Sequence, residues 1–160
     1  MATRVRLERG DDRAFIDALG LETALDTVSA VRNLSAQTAA DAYRRLVSFC
    51  RERPGTVTFV AERDGRRAGF LILVTDLPDD VSQQPQAFVA YVAVIPQCRR
   101  QGVGRALIQA ALAEGKRRKL PHVSLMVSAD NAAARLLYES EGFMPERVLM
   151  TRALALEACT

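Results

Sequence analysis

Val92-Ala93-Val94-Ile95-Pro96-Gln97-Cys98-Arg99-Arg100-Gln101-Gly102-Val103-Gly104 decides the fold of this chain. An apolar stretch runs into a proline, then two arginines and a Gly-Val-Gly pair. The segment that follows, Arg105-Ala106-Leu107-Ile108-Gln109-Ala110-Ala111-Leu112, is rich in helix formers. The pattern predicts a buried strand, a tight basic turn and a helix with little side-chain bulk in its first turn. The first amides of a helix have no intrahelical acceptor and attract anions. Glycines at 102 and 104 let a phosphate approach the backbone, and Arg99, Arg100 and Arg105 add charge. The stretch is suited to holding a pyrophosphate.

The spacing discriminates among phosphate motifs. In a dinucleotide fingerprint a third glycine would stand where Leu107 is, and a Walker loop would need Gly-Lys-Ser/Thr, which is absent. What remains, Arg99-x-x-Gly102-x-Gly104, resembles the R/Q-x-x-G-x-G/A signature of the GCN5-related N-acetyltransferases. A second segment strengthens the resemblance. After Val123-Ser124-Leu125-Met126-Val127, the positions Asn131, Ala134, Leu137, Tyr138, Glu139, Gly142 and Phe143 match that family's N-x-x-A-x-x-L-Y-E-x-x-G-F pattern. Asn131 and Tyr138, seven apart, fall on one face of a helix. The matching region, about residues 91–143, covers a third of the chain.

The resemblance implies an α/β fold with a central mixed sheet, helices on both faces, and acetyl-coenzyme A as co-substrate. It implies that the pantetheine arm pairs with the backbone of Val92, Ala93 and Val94. The pyrophosphate would sit on the amides of Arg100, Gln101, Gly102, Val103, Gly104 and Arg105, with Arg99 beside it. Asn131 would touch the cofactor, with Tyr138 near the thioester sulfur as general acid to the leaving thiolate. The amine would attack the thioester directly, without an acyl-enzyme, on a carbonyl polarised by a backbone N–H for which Val94 is the candidate. Many members of the family carry a glutamate on the central strand, but residues 88–92 contain no carboxylate. Neutralising a lysine-like amine at pH 7 takes roughly 4–5 kcal/mol, against about 1 for an α-amine. The expected acceptor is therefore a weakly basic amine on a small molecule or a peptide N-terminus. Asp76, Asp79 and Asp80 could draw in an ammonium group. The missing carboxylate also leaves open a catalytically silent acyl-coenzyme A-binding sensor or regulatory module. Acetyl and longer acyl donors are not distinguished.

Composition narrows the remaining classes. At 160 residues the chain reads as a single domain over residues 1–160. No apolar run approaches the roughly 20 residues that cross a bilayer. The N-terminal stretch lacks the apolar core of a signal peptide, so a cytoplasmic location and no membrane partner are expected. Cys50, Cys98 and Cys159 are odd in number and widely spaced, which suggests neither a disulfide nor a metal framework. The net charge of +3 is mild. The basic run Lys116–Lys119 lacks the interleaved aromatics that bind single-stranded nucleic acid, and suits a helix C-terminus.

Along the chain, a first strand over Arg4–Arg9 is turned by Gly10-Asp11-Asp12. Asp11 or Asp12 could cap a short helix through Ala14 and Leu19. Residues 20–35 are weakly periodic. A helix with Ala39, Ala42, Tyr43, Leu46, Val47 and Cys50 on one face ends before Pro54-Gly55. Thr56–Arg63 and Ala68–Asp76 form a hairpin about Asp64-Gly65. A strand over residues 87–94, a helix from Gly102, a strand over 122–128 and a helix over 131–141 follow. A last strand over 147–154 could pair two copies into a homodimer. Tyr91 is placed opposite the Val92 and Val94 side chains, lining an acceptor pocket or packing beneath a helix.

Overall fold

A computed structural model describes residues 2–154. Strand β1 (Thr3–Leu7) leads through a 3-10 turn (Gly10–Asp12) into α1 (Arg13–Thr23). Two further 3-10 turns, Leu25–Thr27 and Ala30–Arg32, precede α2 (Ala36–Glu52), which Ser35 caps by accepting the Thr38 amide at 3.1 Å. Strands β2 (Thr56–Arg63) and β3 (Arg66–Pro78) form the expected hairpin. Asp64 and Gly65 take φ of 52° and 74°, as a two-residue hairpin turn requires at both central positions. Strand β4 (Pro85–Val94), α3 (Val103–Arg117), β5 (Val123–Leu125) and α4 (Ala132–Ser140) complete the regular structure.

The five strands lie in sequence order in one sheet. Every pair is antiparallel except β4 and β5, which are parallel and joined through α3. The apolar run of β3 is explained by two covered faces. Phe70, Ile72 and Val74 pack with Ile16, Leu19, Tyr43, Val47 and Cys50 of α1 and α2. Leu71 and Leu73 pack with Val103, Leu107, Ile108 and Ala111 of α3 and with Tyr138 of α4. Gly115 lets α3 lie flat on the sheet, since a Cβ there would fall 2.9 Å from the Val123 side chain.

Several expectations change. The first helix runs on to Thr23, through Gly20, whose missing side chain leaves room for the Tyr43 ring (1.9–2.4 Å from an added Cβ). The Asp12 carboxylate does not cap α1. It accepts the Arg9 amide at 2.7 Å and bridges Arg6 at 2.6 Å and Arg67 at 2.6 Å. Strand β5 is only three residues long. The last strand expected over residues 147–154 does not form, and Val148, Leu149, Met150 and Leu154 are exposed. A strand needs a ladder partner, and among the described residues no strand lies beyond β5, the last of the order. After the Phe143 ring meets Tyr138, the chain leaves the sheet, held by an Arg147–Asp80 contact at 3.6 Å. The homodimer expected through that strand has no strand to rest on. Cys159 lies outside the described residues.

Candidate functional site: a split between two parallel strands and the turn beyond it

Strands β4 and β5 pair only from Ala87–Val123 to Val89–Leu125. The register of β4 against β3 passes from Leu73↔Val89 to Ile72↔Tyr91, leaving Ala90 as a bulge. Ala90 and Tyr91 consequently both face α1 and α2, while Val89 and Val92 face α3. Such a bulge bends its strand. Beyond it β4 continues to Val94 with no strand on its outer edge, so a slot opens between β4 and the chain after β5.

The backbone at Val94 points into this slot. The Ala93 carbonyl lies against Gly69, where a Cβ would sit 2.6 Å from the oxygen. The Val94 N–H is on the far side of the same trans peptide plane and so faces away from β3. Ile95 donates its N–H to the Ala68 carbonyl at 2.9 Å, which turns the Val94 carbonyl outward as well. Arg99 Nε donates to that carbonyl at 3.3 Å.

The glycine turn lies at the end of the slot. Arg100 and Gly102 take φ of 57° and 83°, and Gly102 caps α3 with no side-chain hydrogen bond. Past Arg99, whose amide donates to the Pro96 carbonyl at 3.2 Å, the chain turns through residues 99–102 into α3, whose first amides have no acceptor within the helix. Successive free N–H groups with left-handed residues among them make a concave cradle for an anion. The Arg63 guanidinium steadies the turn by donating to the Gln101 carbonyl at 2.9 Å, and Gln101 Nε2 donates to the Gln97 carbonyl at 2.7 Å. At Gly104 a Cβ would be 3.1 Å from Leu137, so glycine there brings α3 close to α4. Arg105 joins the same two helices, donating to Ser140 at 3.0 Å and pairing with Glu141 at 3.2 Å. Arg100 makes no ion pair among the described residues.

Helix α4 carries the second motif. Asn131 Oδ1 accepts the Ala134 amide at 3.1 Å, which caps the helix. Tyr138 is buried in the same core layer as the Val92 and Val94 side chains. Its hydroxyl has no protein hydrogen-bond partner among the described residues, and burial raises its pKa above that of an ordinary phenol. Loss of solvation disfavours the phenolate, so at neutral pH the hydroxyl stays protonated.

Other expected participants are used elsewhere. Tyr91 is core: its ring packs between Tyr43 and Phe70, and its hydroxyl meets Thr23 at 3.1 Å and the Gly20 carbonyl at 3.2 Å. Asp76 accepts from Arg53 and from the Gly55 amide. Asp79 accepts the amides of Val81 and Ser82, which hold its carboxyl below the usual range. Asp80 faces Arg147.

The strap between α1 and α2, residues 24–33, lies in the segment 20–35 on which the acceptor's identity is expected to depend, but it carries no motif. It spans the mouth of the slot. On one side the Asp26 carboxylate meets Arg99 at 3.1 Å. On the other, Ser128 donates to the Thr27 carbonyl at 2.7 Å and Asp130 accepts the Ala30 amide at 2.9 Å. The only signal in the sequence was a cluster of small polar residues, which any surface loop has.

Comparison with known proteins agrees with this geometry. The family model described as "Acetyltransferase (GNAT) family" matches residues 24–143. A mycothiol acetyltransferase from Acidothermus cellulolyticus is 36% identical over 115 residues, covering 66% of this chain and 35% of that protein. A [ribosomal protein bS18]-alanine N-acetyltransferase from Escherichia coli (strain K12) is 37% identical over 87 residues, covering 54% of each. The chain thus spans about half or less of the length of these curated relatives. Among solved structures, AAC(6')-Iy in complex with a coenzyme A bisubstrate analogue superposes with a TM-score of 0.72 at 19% identity, covering 97% of this chain and 100% of that one.

Proposed function

This chain belongs to the GNAT family of acetyltransferases, and from that premise we propose that it transfers the acetyl group of acetyl-coenzyme A to a primary amine of a small molecule or peptide N-terminus. The observation that carries the reading is the glycine turn at residues 99–102 and the first α3 amides it presents, at the end of an open strand edge. The cofactor diphosphate fits the cradle formed by those amides. A pantetheine amide fits the outward carbonyl of Val94, with Val92 continuing the edge, while Ala93 turns its carbonyl towards β3 and the Val94 N–H is left for the thioester. Asn131 keeps a free Nδ2 for the cofactor while its oxygen caps α4. The names of two related proteins differ in the molecule they mention: one is named for mycothiol, the other for a ribosomal-protein alanine.

In the chemical step the lone pair of the neutral amine attacks the thioester carbonyl carbon. The C=O π electrons move to oxygen, where the Val94 N–H stabilises the developing charge. Removing one such donor from other enzymes costs about 10²–10³ in rate. The C–S bond then breaks and the thiolate takes the Tyr138 hydroxyl proton, giving an amide and free coenzyme A, and the tyrosinate regains a proton from water. The ammonium proton passes to water, since no carboxylate lies on β4. A slightly basic acceptor remains the better fit, for the energetic reason given with the sequence.

The test is thiol release from acetyl-coenzyme A across a panel of α-amines, diamines and short peptides. Tyr138→Phe is expected to bind acetyl-coenzyme A as the unaltered protein does and to lose about 10²-fold in turnover, the usual scale of a general acid. Full activity in Tyr138→Phe would remove the acid role. Acetyl-coenzyme A binding without turnover on any amine would favour a silent cofactor-binding module, a reading supported by the lack of a carboxylate on β4.

A further inference from the structure

The guanidinium of Arg99 stands where two ligands would need it gone. Its Nε holds the Val94 carbonyl at 3.3 Å, and its Nη2 holds Asp26 at 3.1 Å. One planar group therefore joins the strand edge expected to pair with pantetheine to the strap over the mouth of the slot. We propose that Arg99 and Asp26 exchange partners when the cofactor binds, and that Asp26 then receives the cationic acceptor. The inference rests on the acetyltransferase reading. A pantetheine amide that donates to the Val94 carbonyl displaces Arg99 Nε, and a diphosphate on the neighbouring amides offers that guanidinium a doubly charged partner. Arg–phosphate pairing is bidentate and stronger than a single contact to an exposed carboxylate.

Asp26 is then left without its cation at the mouth of the slot. Its backbone cannot follow Arg99, because the strap is fixed at its other side by Ser128 and Asp130. The other acidic groups at this end keep partners of their own: Asp130 accepts from the strap at Ala30, and Glu141 pairs with Arg105. Next to Asp26, the hydroxyls of Tyr91 and Thr23 are neutral and bonded to each other at 3.1 Å. An ammonium group entering the slot thus finds one uncompensated carboxylate, and finds it only after the cofactor is in place. Asp26 thus selects for an acceptor that carries a cationic group besides the amine that reacts.

Calorimetry with acetyl-coenzyme A on four proteins tests the exchange: unaltered, Asp26→Asn, Arg99→Ala and the double variant. Asp26→Asn is expected to bind the cofactor about two- to fivefold more tightly, since an exposed ion pair of this kind no longer competes for Arg99. Arg99→Ala is expected to bind it more weakly, and adding Asp26→Asn to Arg99→Ala is expected to change nothing further. A merely structural Asp26 would not tighten cofactor binding. Equal affinity in Asp26→Asn and the unaltered protein, or an unchanged effect in the Arg99→Ala background, overturns the exchange. With the amine that the thiol-release panel identifies, Asp26→Asn should raise KM about tenfold while kcat falls less than threefold; an unchanged KM overturns the acceptor role. No heat from the unaltered protein with acetyl-coenzyme A would sink the acetyltransferase reading as well, whereas normal heat with a failed cycle sinks only the exchange.

Discussion

Asp12 is fully buried, yet it is charged. Two guanidiniums, Arg6 from β1 and Arg67 from β3, hold it at 2.6 Å each, and the Arg9 amide adds a third bond at 2.7 Å. The hydrogen bond from Arg6 is the largest influence, and with the others it outweighs burial and keeps the carboxyl far below the ordinary range. The cluster pins the start of α1 to the sheet. Asp12→Ala would leave Arg6, itself nearly buried, without its main partner, and breaking a buried pair on one side typically costs about 3–5 kcal/mol. Urea unfolding of Asp12→Ala should show that loss; a change under about 1 kcal/mol would mean that water replaces the carboxylate. Residue types alone could not reveal this cluster. Gly10-Asp11-Asp12 reads equally well as a turn or a cap, and the arginines that decide the matter are 6 and 55 positions away.

At the scale of elements, α3 was legible almost to the residue. Its apolar spacing, the glycine before it and the prolines around it are all local signals, and Gly102 and Val103 stand where expected. The last turn carries its own pH dependence. Glu114 accepts from Arg117 at 2.7 Å and from Arg118 at 2.7 Å, and the Arg117 hydrogen bond leads in lowering its carboxyl from 4.5 to about 2. A carboxyl whose folded pKa is depressed stabilises the fold above its unfolded pKa, and that stability is lost as pH falls through the folded one. Thermal melts should thus lose stability between about pH 4.5 and pH 2, and Glu114→Gln should flatten part of that loss. An identical acid profile in Glu114→Gln would show that the pair contributes nothing. By contrast, β5 is shorter than expected and the segment after Phe143 forms no strand over residues 147–154. Their apolar residues have strand character, but a strand exists only where a neighbour supplies its ladder.

For the whole molecule, the two cores on either side of the sheet leave one place where strands part, and the glycine turn lies at its end. Specific binding there stabilises the fold by mass action. Acetyl-coenzyme A at a hundredfold excess over its Kd should add about 2.7 kcal/mol. For a domain of this size that raises the melting temperature by roughly 5–10 °C. No shift at saturating cofactor would mean that the slot does not hold it. The sequence by itself determined the order of helices and strands through β4 and α3, the glycine turn and the positions of Asn131 and Tyr138, because periodicity, turn chemistry and motif spacing are properties of neighbouring residues. Only the tertiary structure decided that Ala90 bulges, that the Val94 N–H faces the slot, that Tyr91 is core and that Asp26 meets Arg99. Each of these depends on groups brought together from distant parts of the chain, and packing and hydrogen-bond satisfaction act on distance in space, with no trace in local pattern.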